Sequence, residues 1–299
     1  MGVTTVAFVD PRDRRVFPLP IHVGNGEKQS VARQIFGKGL ADEVWEISRR
    51  NMELAGVLMG AKESSLSWWE KKNGGSYQIE AQERSLLISE PIENSIRSAM
   101  VKRITKEGPL RFATELQVDG ETIRVMSDVV ILLSDRLAIE LLPNIRDKLV
   151  PVTLSSFMFP KATREPIGYS VFNNGIDFAI GAGDFLRLGS YRNLFEDRAV
   201  GFHAAADEIT RKSILSFFSG LKWIAADATS ETNLSIESIS CDGLPIVGPL
   251  PDLPGVYAVG GFSARPLNFA FAVAESLAGK LSGKPGGLSL DRFSTKRFV

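Results

Sequence analysis

The sequence has one cysteine, no surplus of either charge and no long apolar run. The single cysteine, Cys241, excludes a disulfide within the chain and is typical of a reducing compartment. Lysine plus arginine and aspartate plus glutamate each number 35, so the positive surplus that nucleic-acid binding usually needs is missing. No apolar run approaches the roughly 18 residues of a membrane span, and the first residues lack the pattern of a secretory signal. We therefore expect a cytoplasmic protein without an obligatory nucleic-acid partner, with tRNA left open.

The pattern of apolar residues that is present predicts alternating strands and helices. The chain has 299 residues, enough for about two domains of roughly 150 residues each. Val3–Val9 is predicted to be a buried parallel strand that ends at Asp10, and Val31–Leu58 has the spacing of an amphipathic helix. A second helix is predicted over residues 90–105, and Val129–Leu133 is predicted to be another fully buried strand. This order is typical of an α/β domain.

Shorter signals divide the rest of the chain. Asp119-Gly120 is predicted to be a turn between two short strands, and residues 151–232 are rich in short β-like runs such as Phe178–Gly183, which predicts an antiparallel region. Near the end, Val256–Val259 is predicted to be a strand and Leu267–Leu281 an amphipathic helix capped by the following glycine. The chain thus begins and ends with α/β character and has an antiparallel middle.

The most specific stretches of the sequence lie in its last 65 residues or so. They are Asp242–Pro249 (DGLPIVGP), Leu253–Gly261 (LPGVYAVGG) and the closing run Asp291–Phe298 (DRFSTKRF). Together they resemble the C-terminal signature of the D-amino-acid-oxidase-like family of FAD-dependent oxidoreductases. That family includes glycine and sarcosine oxidases, D-amino-acid dehydrogenases and the FAD domain of the enzyme that completes 5-methylaminomethyl-2-thiouridine in tRNA. The resemblance implies oxidation of a C–N bond in an amine or amino acid by hydride transfer to FAD.

The resemblance also implies which residues contact the cofactor. It places the run Gly260, Gly261, Phe262 and Ser263 along the isoalloxazine ring. Arg265 matches an arginine of the tRNA-modifying branch, and Asp10 matches the acidic residue that binds the ribose hydroxyls. A strand, a glycine pair and a helix start are also expected on physical grounds to present free N–H groups to the electron-rich N1–C2=O edge of a flavin.

Three positions depart from the family pattern. Only nine residues precede Asp10, so the glycine fingerprint G-x-G-x-x-G and the first strand and helix are absent from this sequence. Ser134-Asp135-Arg136 stands where the family has a small residue and glycine. Glu237 stands where many members carry an arginine that binds the substrate carboxylate, and a carboxylate there is expected to attract an amine instead.

The fold class expected from these observations is α/β. It consists of an FAD/NAD(P)-binding Rossmann-like domain that lacks its first βα unit, and an inserted, mostly antiparallel substrate domain. The inserted domain is expected to cover the substrate with residues 172–191, including Tyr191, and Cys241 is expected to be a small buried residue. The predicted bounds are 1–55, 86–150 and 236–299 for the Rossmann-like domain, and 56–85 and 151–235 for the substrate domain.

Two other functions remain open from the sequence. The chain could be a flavin-free homologue that acts as a binding or structural subunit, since each departure removes a ligand contact and leaves the core pattern intact. It could instead be a subunit whose protein partner completes the FAD site. The expected ligands are FAD and a small amine or amino acid, no metal site is predicted, and self-association is expected to be possible.

Overall fold

A computed structural model gives the fold of most of the chain. It describes residues 21–24, 33–34, 36–59, 62–63, 76–79, 99–163, 169–172, 177–182, 184–190, 200–201, 208–263, 269–284 and 289–298. The predicted strand Val3–Val9 lies outside these residues. The large β-sheet and an α/β layer account for most of the buried core.

The large sheet is antiparallel throughout and has the strand order β12-β8-β11-β10-β9. Its longest pairing runs unbroken along β8 and β12, from Met158 opposite Glu231 to Leu149 opposite Ser240. This sheet confirms the antiparallel middle region. Its strands are β8 (Leu149–Pro160), β9 (Tyr169–Phe172), β10 (Asp177–Ala182), β11 (Phe185–Ser190) and β12 (Glu231–Ser240).

One face of the large sheet is apolar and covered by a helix. Side chains alternate between the two faces of a strand, so Phe157 and Phe159 of β8 share a face with Leu186 and Leu188 of β11. Helix α4 (Glu208–Gly220) packs its buried side chains Ile214 and Phe218 onto this face and closes the core there. The alternate residues of the same strands face the other way and include polar groups.

The α/β layer is built on a smaller sheet with the order β13-β14-β7. β14 (Val256–Gly260) pairs in parallel with β7 (Val130–Leu132) and antiparallel with β13 (Ile246–Pro249). Val256 and Ala258 join one core, while Val259 and Tyr257 join the other, as alternation along a strand requires. The sheet therefore has a packed layer on each face, which is the mixed α/β architecture expected from the sequence.

Helices from different parts of the chain cover the two faces of this sheet. On the first face lie the short helices α2 (Asp135–Leu141) and α3 (Pro143–Arg146). On the second lie α1 (Lys38–Met59), α5 (Ala270–Leu281) and the 3₁₀ turn Asp291–Phe293. The last 3₁₀ turn, Thr295–Phe298, packs Phe298 against the core of the first face. Gly283, with a φ of 66°, ends α5 as predicted, and its N–H bonds to the carbonyl of Lys280.

Two further antiparallel sheets complete the described residues. One is a meander of β4 (Met100–Gly108), β5 (Arg111–Val118) and β6 (Glu121–Ser127), with the predicted turn at Asp119-Gly120, where both residues have positive φ. The other has the order β1-β3-β2, from β1 (Ile21–Gly24), β2 (Lys62–Glu63) and β3 (Ser76–Ile79).

Two secondary-structure predictions are wrong in the described residues. The predicted helix over 90–105 meets a strand from Met100 onward, because the β-branched residues there pair with β5 along the meander. The strand Val129–Leu133 is not fully buried: Ile131 is 41% exposed and Leu133 is 70% exposed. Val130 and Leu132 pack into the core on one face of β7, whereas the alternate residues Ile131 and Leu133 point to the other face, where no core cluster of the described residues includes them.

Candidate functional site

The segment that follows β14 runs along the outer edge of β12, beside the predicted substrate residue Glu237. Phe262 forms an antiparallel bridge with Ile239, and the Ser263 N–H donates to the carbonyl of Ser238 at 3.3 Å. Glu237 is the next residue along β12 and is half-buried. The structure therefore places the Gly260–Ser263 segment, called the corner below, directly beside the predicted substrate residue.

The corner has a tight and strained backbone. Gly261 has a φ of 62°, a conformation that favours glycine, and a Cβ at this position would lie 2.8 Å from Leu149 Cδ2, which would have to shift. Ser263 has a φ of 52°, and among the described non-glycine residues only Asp119 and Lys222 share a positive φ. Such strain persists only where surrounding contacts impose it, and it is concentrated at functional sites.

The N-terminus of α5 is capped by another helix. The Phe271 and Ala272 N–H groups donate to Asn51 Oδ1 at 2.8 and 3.3 Å, at the two positions where a capping oxygen normally accepts. Asn51 belongs to α1 and is fully buried. The free N–H groups expected here are thus already bonded at Phe271 and Ala272, as is the N–H of Ser263. Sequence reasoning missed Asn51 because no local pattern links it to α5. The first residue that it caps, Phe271, lies 220 positions further along the chain.

Hydroxyl groups supply the remaining hydrogen-bonding capacity beside the corner. Ser238 and Ser240 are 1% and 3% exposed, and their Oγ atoms have no hydrogen-bond partner among the described residues. The Ser263 hydroxyl contacts the Gly261 carbonyl and the Ser240 N–H at 3.3 and 3.4 Å. Buried hydroxyls without partners are costly, at about 1–3 kcal/mol each. Because side chains alternate along β12, Ser238 and Ser240 face away from Glu237, and Ser240 packs beside Leu149, so only the Ser263 hydroxyl belongs to the corner itself.

Asp242, the first residue of the signature, pairs with Arg297 of the closing turn. Arg297 donates from Nε to Asp242 Oδ2 at 2.6 Å and from Nη2 to Oδ1 at 3.1 Å. It also donates to the carbonyls of Leu244 and Phe293, at 3.0 and 2.7 Å. Burial raises the pKa of Asp242, but the hydrogen bonds from Arg297 and from the Leu244 N–H outweigh it and the pKa falls below 3.8. Asp242 therefore holds the tail in place beside β13 and is not available to a ligand.

A charged group that sequence reasoning missed lies on the face of the large sheet opposite α4. Arg187 of β11 donates from Nε to Ser156 Oγ at 2.8 Å, and its guanidinium carbon lies 5.8 Å from the centre of the Phe178 ring. Ring and arginine are held close because residue 189 is glycine, where a Cβ would lie 2.1 Å from the Phe178 ring. An arginine on an alternating strand carries no local signal in the sequence.

The other predicted site residues have varied outcomes. Asp10, Tyr191 and Arg265 lie outside the described residues, so their roles stay predictions. Cys241 was expected to be buried and is exposed, because it begins the turn that leaves β12, where its N–H donates to the Lys148 carbonyl. The described residues contain no cluster of His, Cys, Asp or Glu that could hold a metal ion. None of the described helices has the length and apolarity needed to cross a membrane.

Comparison with known proteins shows a shared fold at low sequence identity. No protein-family model and no curated protein matches the sequence. Among solved structures, glycine oxidase from Geobacillus kaustophilus superposes with a TM-score of 0.57 at 14% identity, over 91% of this chain and 80% of that one. L-proline dehydrogenase from P. horikoshii gives 0.60 at 12%, over 91% and 88%. Iminodiacetate oxidase from Chelativorans sp. BNC1 gives 0.54 at 18%, over 90% and 73%. The chain therefore has the mixed α/β fold of amino-acid oxidases and dehydrogenases.

Proposed function

We propose that the protein is an FAD-dependent oxidoreductase that oxidises a C–N bond of an amine or amino acid. The observation that carries the proposal is the contact between the corner and β12, which sets Glu237 beside the segment assigned to the flavin ring. The three proteins of similar fold act on amino compounds by name, which supports the same class of substrate here. The predicted division into a Rossmann-like and a substrate domain is part of this proposal.

The chain's own residues would hold the cofactor as follows. The corner, Gly260–Ser263, would lie along the ring system, with the Ser263 hydroxyl as part of it. Asp10 is proposed for the ribose hydroxyls, and Arg265 is proposed as a further cofactor contact next to the corner. Bound FAD would accept the hydride that leaves the carbon next to the amine nitrogen.

Glu237 is proposed to bind and orient the amine. A carboxylate attracts an ammonium group through a charge-assisted hydrogen bond, and the bond is stronger when it is partly shielded from water. Since Glu237 is half-buried, such a bond would fix the nitrogen near the corner and present the neighbouring carbon. Loss of a proton from nitrogen to the carboxylate oxygen would leave the neutral amine that C–N oxidation requires.

A second candidate function is a flavin-free homologue that binds ligands or partners. The specific observation in its favour is the cap on α5, since Asn51 occupies two N–H groups that would otherwise face a cofactor. Under this proposal the fold is kept and the cofactor is lost.

One experiment separates the two proposals. The purified protein is incubated with excess FAD, passed through gel filtration, and its visible spectrum and circular dichroism are recorded. A flavin spectrum that stays with folded protein supports the oxidoreductase. A folded, colourless protein supports the flavin-free homologue and sinks catalysis by this chain alone.

A further inference from the structure

We propose that the substrate is an amine that carries an anionic group several bonds from its nitrogen, bound by Glu237 at one end and Arg187 at the other. The inference rests on the proposed function, since it takes the amine to be oxidised as the group that Glu237 binds. It goes further by naming the second contact and the class of substrate.

Glu237 and Arg187 lie on the same face of the large sheet. β8 separates their strands, and in the unbroken registers Glu237 lies opposite Val152 while Arg187 lies opposite Met158. Val152 and Met158 are six residues apart on one strand, so both side chains and both partners point to one face. This is the face opposite the one that α4 covers, because Phe157 and Leu188 occupy that other face.

The hydrogen bond of Arg187 directs its head group toward Glu237. The bond goes to Ser156, which lies two residues nearer to Val152 along β8 than Met158 does. The face-on Phe178 ring holds the guanidinium on its other side. A guanidinium carries five N–H donors, so Arg187 can bind an anion while it keeps the bond to Ser156.

Strand geometry sets the distance between the two charges. Four residues from Ser156 to Val152 span about 13 Å, and one neighbouring strand adds about 5 Å sideways. A glutamate side chain reaches about 4 Å from its Cα, so roughly 10–14 Å separate the carboxylate and the guanidinium. Two hydrogen bonds of about 3 Å each then leave roughly 4–8 Å between the two charged ends of a ligand.

That gap favours a long substrate over an α-amino acid. The nitrogen and the carboxylate of an α-amino acid lie only about 3 Å apart, too close to reach both charges. An amine whose carboxylate or similar anion lies about five carbons away spans about 7 Å and reaches both. Opposite charges on one face also give the ligand a single orientation, with its nitrogen at Glu237, near the corner, and its anionic group at Arg187.

Binding calorimetry of the full chain tests the proposal with 6-aminohexanoate, 1-aminohexane and glycine as probes. We expect 6-aminohexanoate to bind at least about tenfold more tightly than either other probe, since a charge-assisted contact is worth about that factor or more. R187Q should lose that advantage for 6-aminohexanoate and leave 1-aminohexane unchanged. R187K should restore part of it, because lysine keeps the charge and loses the planar fork. R211Q, on α4 and over the opposite face, is the control for the loss of one positive charge.

Equal affinity for glycine and 6-aminohexanoate, an unchanged affinity in R187Q, or an equal loss in R211Q would each overturn the proposal. So would the absence of binding by all three probes to folded protein. Flavin retention is scored separately in the same preparations. Protein that binds 6-aminohexanoate through Arg187 and retains no flavin supports this site and contradicts the proposed function, whereas the reverse result contradicts this site alone.

Discussion

Arg297 and Asp242 are 55 positions apart in the sequence and are joined by two hydrogen bonds, which tie the end of the chain to the start of β13. Arg297 is mostly buried, and it also stacks on Phe298 with its guanidinium carbon 4.2 Å from the ring centre. The most recognisable part of the sequence and its closing run are therefore two halves of one structural contact. In this part of the signature, Asp242 stabilises the fold by holding Arg297.

Removing this contact should destabilise the protein. R297A is expected to lower the free energy of unfolding by about 1–3 kcal/mol, because it breaks a charged pair that is partly shielded and leaves two carbonyls without a donor. R292A is the matched control, because its pair with Glu43 is more exposed, and it should cost under about 0.5 kcal/mol. Urea denaturation of both variants measures this difference, and equal losses would contradict the role given to Arg297.

The same pair predicts a pH dependence. The pKa of Asp242 is lowered in the folded protein, so its contribution to stability is fully present above the ordinary value of 3.8 and is lost as the pH falls through the lower folded value. The difference in unfolding free energy between the native protein and D242N should therefore be constant from neutral pH to about pH 5 and shrink below pH 4. A difference that grows on acidification would show that the folded pKa is raised.

The cap on α5 should also be measurable. N51A removes the oxygen that accepts from Phe271 and Ala272, and it is expected to cost about 1–2 kcal/mol. Ser48 offers a control in the same helix, because its buried hydroxyl has no partner among the described residues and S48A should be neutral or slightly stabilising. Thermal unfolding compares the two, and an N51A protein as stable as S48A would contradict the cap.

Gly189 provides a test of the Arg187 arrangement. A Cβ there would lie 2.1 Å from the Phe178 ring, so G189A must displace the ring and is expected to cost about 1–3 kcal/mol. G39A, in the first turn of α1 with nothing near its added Cβ, should be neutral or stabilising. Denaturation curves of both variants measure the free energies of unfolding. A neutral G189A would show that Phe178 does not pack over residue 189.

The two buried serines beside the corner distinguish a ligand role from a structural one. If Ser238 and Ser240 serve only the fold, replacing them by alanine removes two unpaired hydroxyls and should leave stability unchanged or higher. Because both serines face away from Glu237, the double variant S238A/S240A should also keep its affinity for FAD. Fluorescence titration with FAD and a melting curve measure both quantities, and an affinity weakened about tenfold or more would show that these serines contact the cofactor.

Sequence patterns predicted local features well and long-range contacts poorly. The turn at Asp119-Gly120, the helix α5 and the strand β14 each have a local signal, and the structure confirms them. The helix predicted over 90–105 is wrong from Met100 onward, because β-branched residues there leave the choice between helix and strand to tertiary pairing. Within the candidate site, Glu237 and the corner are predictions from the resemblance.

Asn51 and Arg187 were not found, because their roles depend on chain segments far away in sequence. Asn51 caps a helix 220 positions along the chain, and the position of Arg187 relative to Glu237 follows from the register of three strands. Neither relation leaves a pattern of spacing within a short window. Such contacts can be recognised only once the topology of the sheet is known.

The central claim, oxidation of an amine by a flavin held in this fold, is tested most directly by anaerobic reduction. Protein loaded with FAD and freed of excess cofactor is mixed with 6-aminohexanoate without oxygen, and the flavin absorbance is followed beside an E237Q sample. The account predicts that the flavin bands bleach with the amine, that a carbonyl product and ammonia appear, and that E237Q bleaches at least about tenfold more slowly. Loaded, folded protein whose flavin stays oxidised with this amine and with simple amino acids would contradict it.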